Sequence, residues 1–298
     1  MEKVISASVP AHIGKNLRAG KQGQILLVTS SGIYLRFGEQ ILLLCDENWG
    51  ILPIGIGVKD FDKAVSMLRP QPEQPVTLSD DHLIFPYGML RLVPQDRTIE
   101  TVRSKPKLPY IRQAAENLAA LHKVRGISML VQPLVLGQKM EAAAGQNPYC
   151  AIGYASFSRL IAAVKAGDGG EIRSCLEKLL GLGIGLTPSA DDVLLGMIYV
   201  FRALPTQAPE GAKRFLEVVG RLCDRRTTQI SAAYLKAVQE GAPFERMEQV
   251  FREICGEQTL EIENLTQIGS SSGSEMLLGM LIALRICGYD LSTKEELQ

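Results

Sequence analysis

From Lys3 to Val93 the apolar positions fall in short runs of branched aliphatic residues closed by turn formers: Gln24–Thr29, Ile33–Phe37, Ile41–Cys45, Ile54–Val58, Val76–Leu78, Leu83–Phe85 and Leu90–Val93. Such runs read as strands. Ser30-Ser31-Gly32, Gly38-Glu39-Gln40 and Pro86-Tyr87-Gly88 supply turns between them, so neighbouring strands are expected to pair antiparallel in a small sheet or barrel-like domain. Asp62–Leu68 reads as a helical insert. The polar stretch Pro94–Pro109, with Pro94, Pro106 and Pro109, reads as a linker.

Beyond Tyr110 the spacing turns helical, as in Ile111, Ala114, Ala115, Leu118 and Leu121, and stays so to the C-terminus. Further helices are predicted at Cys150–Lys165, Ile172–Leu180, Ser189–Leu204, Ala212–Cys223, Gln229–Gln239, Phe244–Cys255, Leu260–Ile268 and Gly273–Gly288. The fold class is therefore α+β: an N-terminal antiparallel β domain (residues 1–94), a linker (95–109) and an all-helical C-terminal domain (110–298).

The composition, 46% hydrophobic and 21% charged over 298 residues, suits a globular chain with a substantial core. Thirty-two Lys plus Arg balance thirty-two Asp plus Glu, which removes the electrostatic footprint of a nucleic-acid binder. Cys45, Cys150, Cys175, Cys223, Cys255 and Cys287 lie far apart, as do His12, His82 and His122, so no zinc-site spacing can be written. Reduced, buried thiols in a cytoplasmic protein are expected. Glu2 and the lack of a long apolar stretch before Pro10 make a poor signal peptide. The longest apolar runs, Val193–Phe201 and Met276–Leu284, are about half of what a membrane helix requires. No membrane span and no cofactor are expected, and nothing in the spacing supports Mg²⁺ beside Asp191 and Asp192.

The stretch from Gly181 to Met197, GLGIGLTPSADDVLLGM, carries most of the chemistry. It follows a predicted helix where a dinucleotide fingerprint needs a strand, and it lacks the Gly-Lys-Ser/Thr ending of a P-loop. What remains is helix, glycine loop, helix. Gly181 suits the end of the first helix, Pro188 a first helical turn, and Thr187 or Ser189 the cap of the second.

An offset of 83 residues places Leu194-Leu195-Gly196-Met197 on Leu277-Leu278-Gly279-Met280, Thr187 on Ser270, Ser189 on Ser272, Ala190 on Gly273 and Asp192 on Glu275. This reads as an internal repeat of a helix start. Each copy sets small hydroxyl and glycine residues at a helix N-terminus, where free N–H groups and a partial positive charge favour an anion. Two such ends facing one another would hold a substrate with two anionic groups. The plain alternative is that Ser189-x-x-Asp192 and Ser272-x-x-Glu275 are capping boxes, in which the acids only bond back to the cap. Gly196 and Gly279, inside helices, imply a close crossing of the two. Asp191 has no cap role and is the candidate functional acid; its counterpart is Ser274.

Arg225-Arg226-Thr227-Thr228 precedes another predicted helix. Arg226 is a candidate anion contact, set against a solvated helix end with Thr227 as cap. His122, Lys123 and Arg125 suit a helix C-terminus through the dipole, and a catalytic His122 is the alternative.

GLGIGLTPSADD, from Gly181 to Asp192, resembles the signature of the AllH-type family, GLGPGLTPSGDD followed by an apolar helix. Thr227-Thr228-Gln-Ile-Ser-Ala-Ala-Tyr-Leu-Lys-Ala resembles that family's middle helix, and Ile268-Gly-Ser-Ser-Ser-Gly-Ser-Glu-Met-Leu-Leu-Gly its closing motif, IGHSSGxDxLxG. The strand-rich start with Leu52-Pro53-Ile54-Gly55 also fits. Ile184 replaces the family's proline, Ala190 its glycine, and Ser270 a usual histidine, so an imidazole acid or base from that position is absent.

The resemblance implies a subunit of an oxamate carbamoyltransferase-like enzyme, which with partner subunits interconverts carbamoyl phosphate plus oxamate with oxalurate plus phosphate in allantoin and purine catabolism. Such transfer requires donors for the phosphate and for the developing oxyanion. Gly183, Gly185, Thr187, Ser189, Asp192, Arg226, Ser270, Ser272 and Gly273 are the candidate substrate-binding residues, and Asp191 the candidate catalytic residue that orients the attacking amine or accepts its proton. A non-catalytic regulatory or structural subunit and a stand-alone binder of small carboxylates or phosphates are the alternatives.

Overall fold

The computed structural model describes residues 5–17, 19–95, 99, 102, 104–121, 126–140 and 147–291. They divide into two units, Met1–Glu100 with Ala242–Glu245, and Thr101–Gly241 with Arg246–Gln298.

The first unit is a closed barrel. Its strands are β1 (Ile5–Pro10), β2 (Gln22–Thr29), β3 (Gly32–Phe37), β4 (Gln40–Asp46), β5 (Gly55–Val58), β6 (Pro75–Leu78), β7 (His82–Phe85) and β8 (Gly88–Gln95). Around the barrel the order is β1-β5-β4-β3-β2-β6-β7-β8. Two-residue turns at Ser30-Ser31, Gly38-Glu39 and Pro86-Tyr87 join Thr29 to Gly32, Phe37 to Gln40 and Phe85 to Gly88, as tight antiparallel hairpins require. Along β8 the buried Leu90 and Leu92 alternate with exposed Met89, Arg91 and Val93, the period of a sheet with one wet face. The interior is filled by Ile25, Leu35, Leu44, Ile56, Leu83 and Leu90.

The barrel is not wholly antiparallel. β1 runs parallel to β8, from Ile5↔Leu90 to Pro10↔Gln95, and β5 runs parallel to β4. Turn residues fix direction only for strands joined by a hairpin. β4 and β5 are separated by residues 47–54, and β1 and β8 are far apart in the chain. β1 itself was not among the predicted strands: Ile5, Ala7 and Val9 are buried between half-buried Ser6 and Ser8, a period-2 pattern muted by small residues. The helical insert is α2 (Phe61–Leu68), preceded by the one-turn α1 (Ala11–Gly14).

The second unit is helical: α3 (Leu108–Ala120), α4 (Val131–Leu134), α5 (Pro148–Ala166), α6 (Gly169–Leu179), α7 (Ser189–Ala203), α8 (Glu210–Arg226), α9 (Gln229–Gln239), α10 (Glu245–Ile254), α11 (Glu263–Thr266) and α12 (Ser272–Ile286). The helix predicted at Leu260–Ile268 is thus a single turn, and α4 was not foreseen. Ahead of α3, the N–H groups of Val102 and Ser104 donate to the carboxylates of Glu248 and Glu257. No helix among the described residues is long and apolar enough to cross a membrane.

The two longest apolar runs became α7 and α12, and both are buried almost all round, as helices lacking a polar face must be. They cross through their glycines. A Cβ added at Gly196 would stand 2.0 Å from the Met276 carbonyl oxygen, and one at Gly279 would stand 1.9 Å from that of Val193. The same offset of 83 residues maps Val193 on Met276 and Gly196 on Gly279, so the contact is reciprocal and the repeat in sequence is a local two-fold in space.

Gly279→Ala is therefore expected to cost about 3 kcal/mol through forced separation of two backbones, lowering Tm by about 10 °C. Gly170→Ala, where a Cβ meets only Asp168 Oδ1 at 3.4 Å, is the control and should change Tm little. Equal melting temperatures in thermal denaturation would refute the crossing.

Candidate functional site

α6 ends at Leu179 and the chain enters the glycine loop. Gly181 adopts φ 82, and a Cβ there would stand 2.4 Å from the Arg226 carbonyl oxygen, so both backbone angle and space demand glycine. The loop folds on itself through Leu182 N–H to Leu179 O (2.9 Å) and Ala190 N–H to Leu182 O (3.0 Å). Neither Thr187 nor Ser189 caps α7. Pro188 takes the N-cap position in extended geometry without a side-chain bond. The Thr187 hydroxyl instead donates to Asp192 Oδ2 at 3.1 Å and lies 3.3 Å from Ser272 Oγ.

That last contact joins the two helix starts. Asp192 and Glu275 stand one turn ahead of Gly196 and Gly279, 2% and 1% exposed. The Asp192 carboxyl is held well above the usual range, first by burial and then by the negative charge of Glu275, against the hydroxyls of Ser272 and Thr187. Glu275 accepts from the Ile127 N–H at 2.9 Å and from the Ser271 hydroxyl at 3.2 Å. The capping boxes do not form. Pro188 has no N–H to offer Asp192, and Glu275 is bonded to a distant loop and to the hydroxyl of its own N-cap residue, Ser271.

Asp191 is likewise buried. Its Oδ1 accepts the Gly181 N–H at 2.9 Å, and its Oδ2 accepts the hydroxyls of Ser231, at 2.8 Å, and Thr227. Burial raises its pKa, and the bonds from Thr227, Gly181 and Ser231 oppose the rise.

The other predicted residues are placed unevenly. Gly185 and Ser270 are exposed and Gly183 half-buried, while Ser189 and Gly273 are buried. The Gly273 N–H, expected to face an anion, donates to Ile268 O at 3.1 Å, and a Cβ there would stand 1.8 Å from Leu265 O. It is committed to packing. Arg226 ends α8 with an exposed side chain, its carbonyl against Gly181. Thr228, not Thr227, caps α9 by accepting from Ser231 N–H. Thr227 is left on the far side of that cap, where its hydroxyl reaches Asp191.

His122, Lys123 and Arg125 lie outside the described residues. Sequence reasoning missed Ser271 and the Thr227–Ser231 pair; their only signal was hydroxyl residues next to predicted helix starts. Among the described residues no group of three or more His, Cys, Asp or Glu is placed to hold a metal ion. A cavity of about 220 Å³ lies in the barrel unit, lined in part by Val9, Leu17, Leu78 and Asp81, and contains none of the predicted site residues.

An α+β chain with a closed barrel and, separately, two glycine-crossed helices whose starts gather hydroxyls and buried acids defines the class. The family model described as oxamate carbamoyltransferase subunit AllH matches residues 179–284. That segment, less than half of the chain, runs from the end of α6 through the glycine loop and both crossing helices. No solved structure matches the chain.

A folded pKa above 3.8 for Asp192 means that the fold favours the protonated carboxyl. This contribution is complete below 3.8 and is lost as pH climbs through the raised value. Asp192→Asn, neutral at every pH, is expected to melt higher than wild type at alkaline pH, with the difference shrinking as the pH falls toward 3.8. A constant difference in thermal melts across that range would contradict the assignment.

Proposed function

We propose that the chain is a subunit of a carbamoyltransferase that handles carbamoyl phosphate with oxamate, or oxalurate with phosphate. The observation that supports this most is that residues 179–284, the segment matching the AllH model, contain both helix starts joined by Thr187 and Ser272. In the forward reaction the oxamate amide nitrogen attacks the carbamoyl carbon and loses a proton. The carbon–oxygen bond to phosphate then breaks, and phosphate leaves with the electron pair. Thr187 and Ser272, both half-buried, would turn their hydroxyl hydrogens from Asp192 to the developing oxyanion when substrate is bound. Exposed Gly185, Arg226 and Ser270 offer donors to phosphate or carboxylate. The remaining candidates, Gly183, Ser189, Asp192 and Gly273, lie behind these groups and set their positions. Asp191, with its oxygens taken up by Gly181, Thr227 and Ser231, serves by fixing the loop rather than as the amine's proton acceptor.

A second reading, a non-catalytic subunit that shapes a partner's site, draws on the inward-turned N–H groups of Ala190 and Gly273.

The deciding assay is phosphate-dependent cleavage of oxalurate by the complex reconstituted with its partner subunits. Thr187→Val is expected to lower kcat/KM about a hundredfold. Unchanged turnover in that variant removes the hydroxyl from catalysis and favours the second reading. Full activity of the partners without this chain removes both.

A further inference from the structure

The segment from Thr227 to Ser231 touches the glycine loop at two separate places. Thr227 and Ser231 stand four residues apart, on one side of the α9 start, and both hydroxyls donate to Asp191 Oδ2, whose other oxygen holds the Gly181 N–H. Thr228, between them, accepts from the Ser231 N–H at 3.0 Å and donates its own hydroxyl to the Leu186 carbonyl. One helix start therefore grips the loop at its first residue and again at the residue before Thr187.

Between the grips the loop is fixed at Leu182 by its two backbone bonds and at Gly183, where a Cβ would stand 2.4 Å from the Ser189 nitrogen, and lies open only around Ile184 and Gly185. Gly183 and Gly185 adopt φ 126 and 103, Ile184 is 76% exposed, and a Cβ at Gly185 would find nothing within 4 Å. A glycine without neighbours, as Gly185 is, carries no strong preference for one shape, so the stretch from Ile184 to Leu186 takes its shape from Gly183 against Ser189 on one side and from the Thr228 bond on the other. Its product is the position of Thr187, whose hydroxyl must meet both Asp192 and Ser272.

We propose that Thr227, Thr228 and Ser231 are positioning residues: they touch no substrate and act by holding the loop so that Thr187 faces Ser272. The kinetic consequence rests on the carbamoyltransferase reading; the grip itself does not. A loop released at Leu186 spends part of its time in shapes that do not present Thr187, and because Thr187 acts on the developing oxyanion this lowers kcat while leaving KM nearly unchanged.

The test uses the full chain with Thr228→Val, which removes the hydroxyl but keeps the shape, and Thr228→Ser, which restores it. In Thr228→Val, amide hydrogen exchange across residues 181–187 is expected to accelerate about tenfold, the worth of one hydrogen bond. Exchange in the body of α7 should stay at the wild-type rate. Thr228→Ser should match wild type throughout. In the reconstituted complex kcat should fall about tenfold in Thr228→Val with the KM for carbamoyl phosphate within about twofold, and Thr228→Ser should recover it.

Unchanged loop exchange in Thr228→Val, or equal acceleration in both variants, overturns the proposal. So does a loosened loop with wild-type kcat, which makes the grip structural only. Should the wild-type complex transfer no carbamoyl group, the functional reading falls, and the exchange measurement still decides whether the grip exists.

Discussion

The polar site exists because two helices lack side chains at the point where they cross. With hydrogen at Gly196 and Gly279, the backbones of α7 and α12 approach until each glycine lies on a carbonyl of the other helix. One turn upstream, that approach brings Asp192 and Glu275 to equivalent places about the local two-fold, and Thr187 within 3.3 Å of Ser272. Any larger residue at the crossing would separate these groups and admit water between them. Packing thus sets the chemistry, because close approach is also what desolvates the acids and shifts the Asp192 equilibrium toward its protonated form.

Burying these acids is unfavourable on its own, since a carboxylate removed from water needs compensating donors. The chain supplies them almost entirely as hydroxyls and backbone N–H groups: Thr187 and Ser272 for Asp192, Thr227, Ser231 and Gly181 for Asp191, Ser271 and Ile127 for Glu275. Each hydrogen bond contributes on the order of 1 kcal/mol, whereas each fully buried aliphatic side chain along α7 and α12 contributes roughly twice that. The apolar bodies of the helices hold the polar ends in place, and the ends specify which loops dock there.

Much of this was legible in the residues. The short branched-aliphatic runs closed by turn formers located β2 to β8 and the hairpin turns joined the right strands, because local chemistry decides both. The offset of 83 residues and the interior glycines foretold the crossing. What failed were features set by distant partners. Parallel pairing of β1 with β8 and of β4 with β5 depends on barrel closure, which no short window encodes. The capping boxes were correct as patterns and absent in space, since Pro188 displaced the cap and a loop at Ile127 competed for Glu275. Gly273 looked like an anion donor and proved to be a packing glycine against Leu265. Asp191 was singled out for its lack of a cap role; its partners Thr227 and Ser231 lie outside the helix that bears it.

The seam of the barrel has a consequence for how the chain is made. β1 lies between β5 and β8, so Ile5–Pro10 form the stave that shuts the cylinder. A ribosome releases that stave before the other seven, and its parallel neighbour is complete only when Gln95 has been synthesised. Until then Ile5, Ala7 and Val9 have no finished wall to enter, and the edges of β5 and β8 stay open. Late closure of this kind favours slow folding.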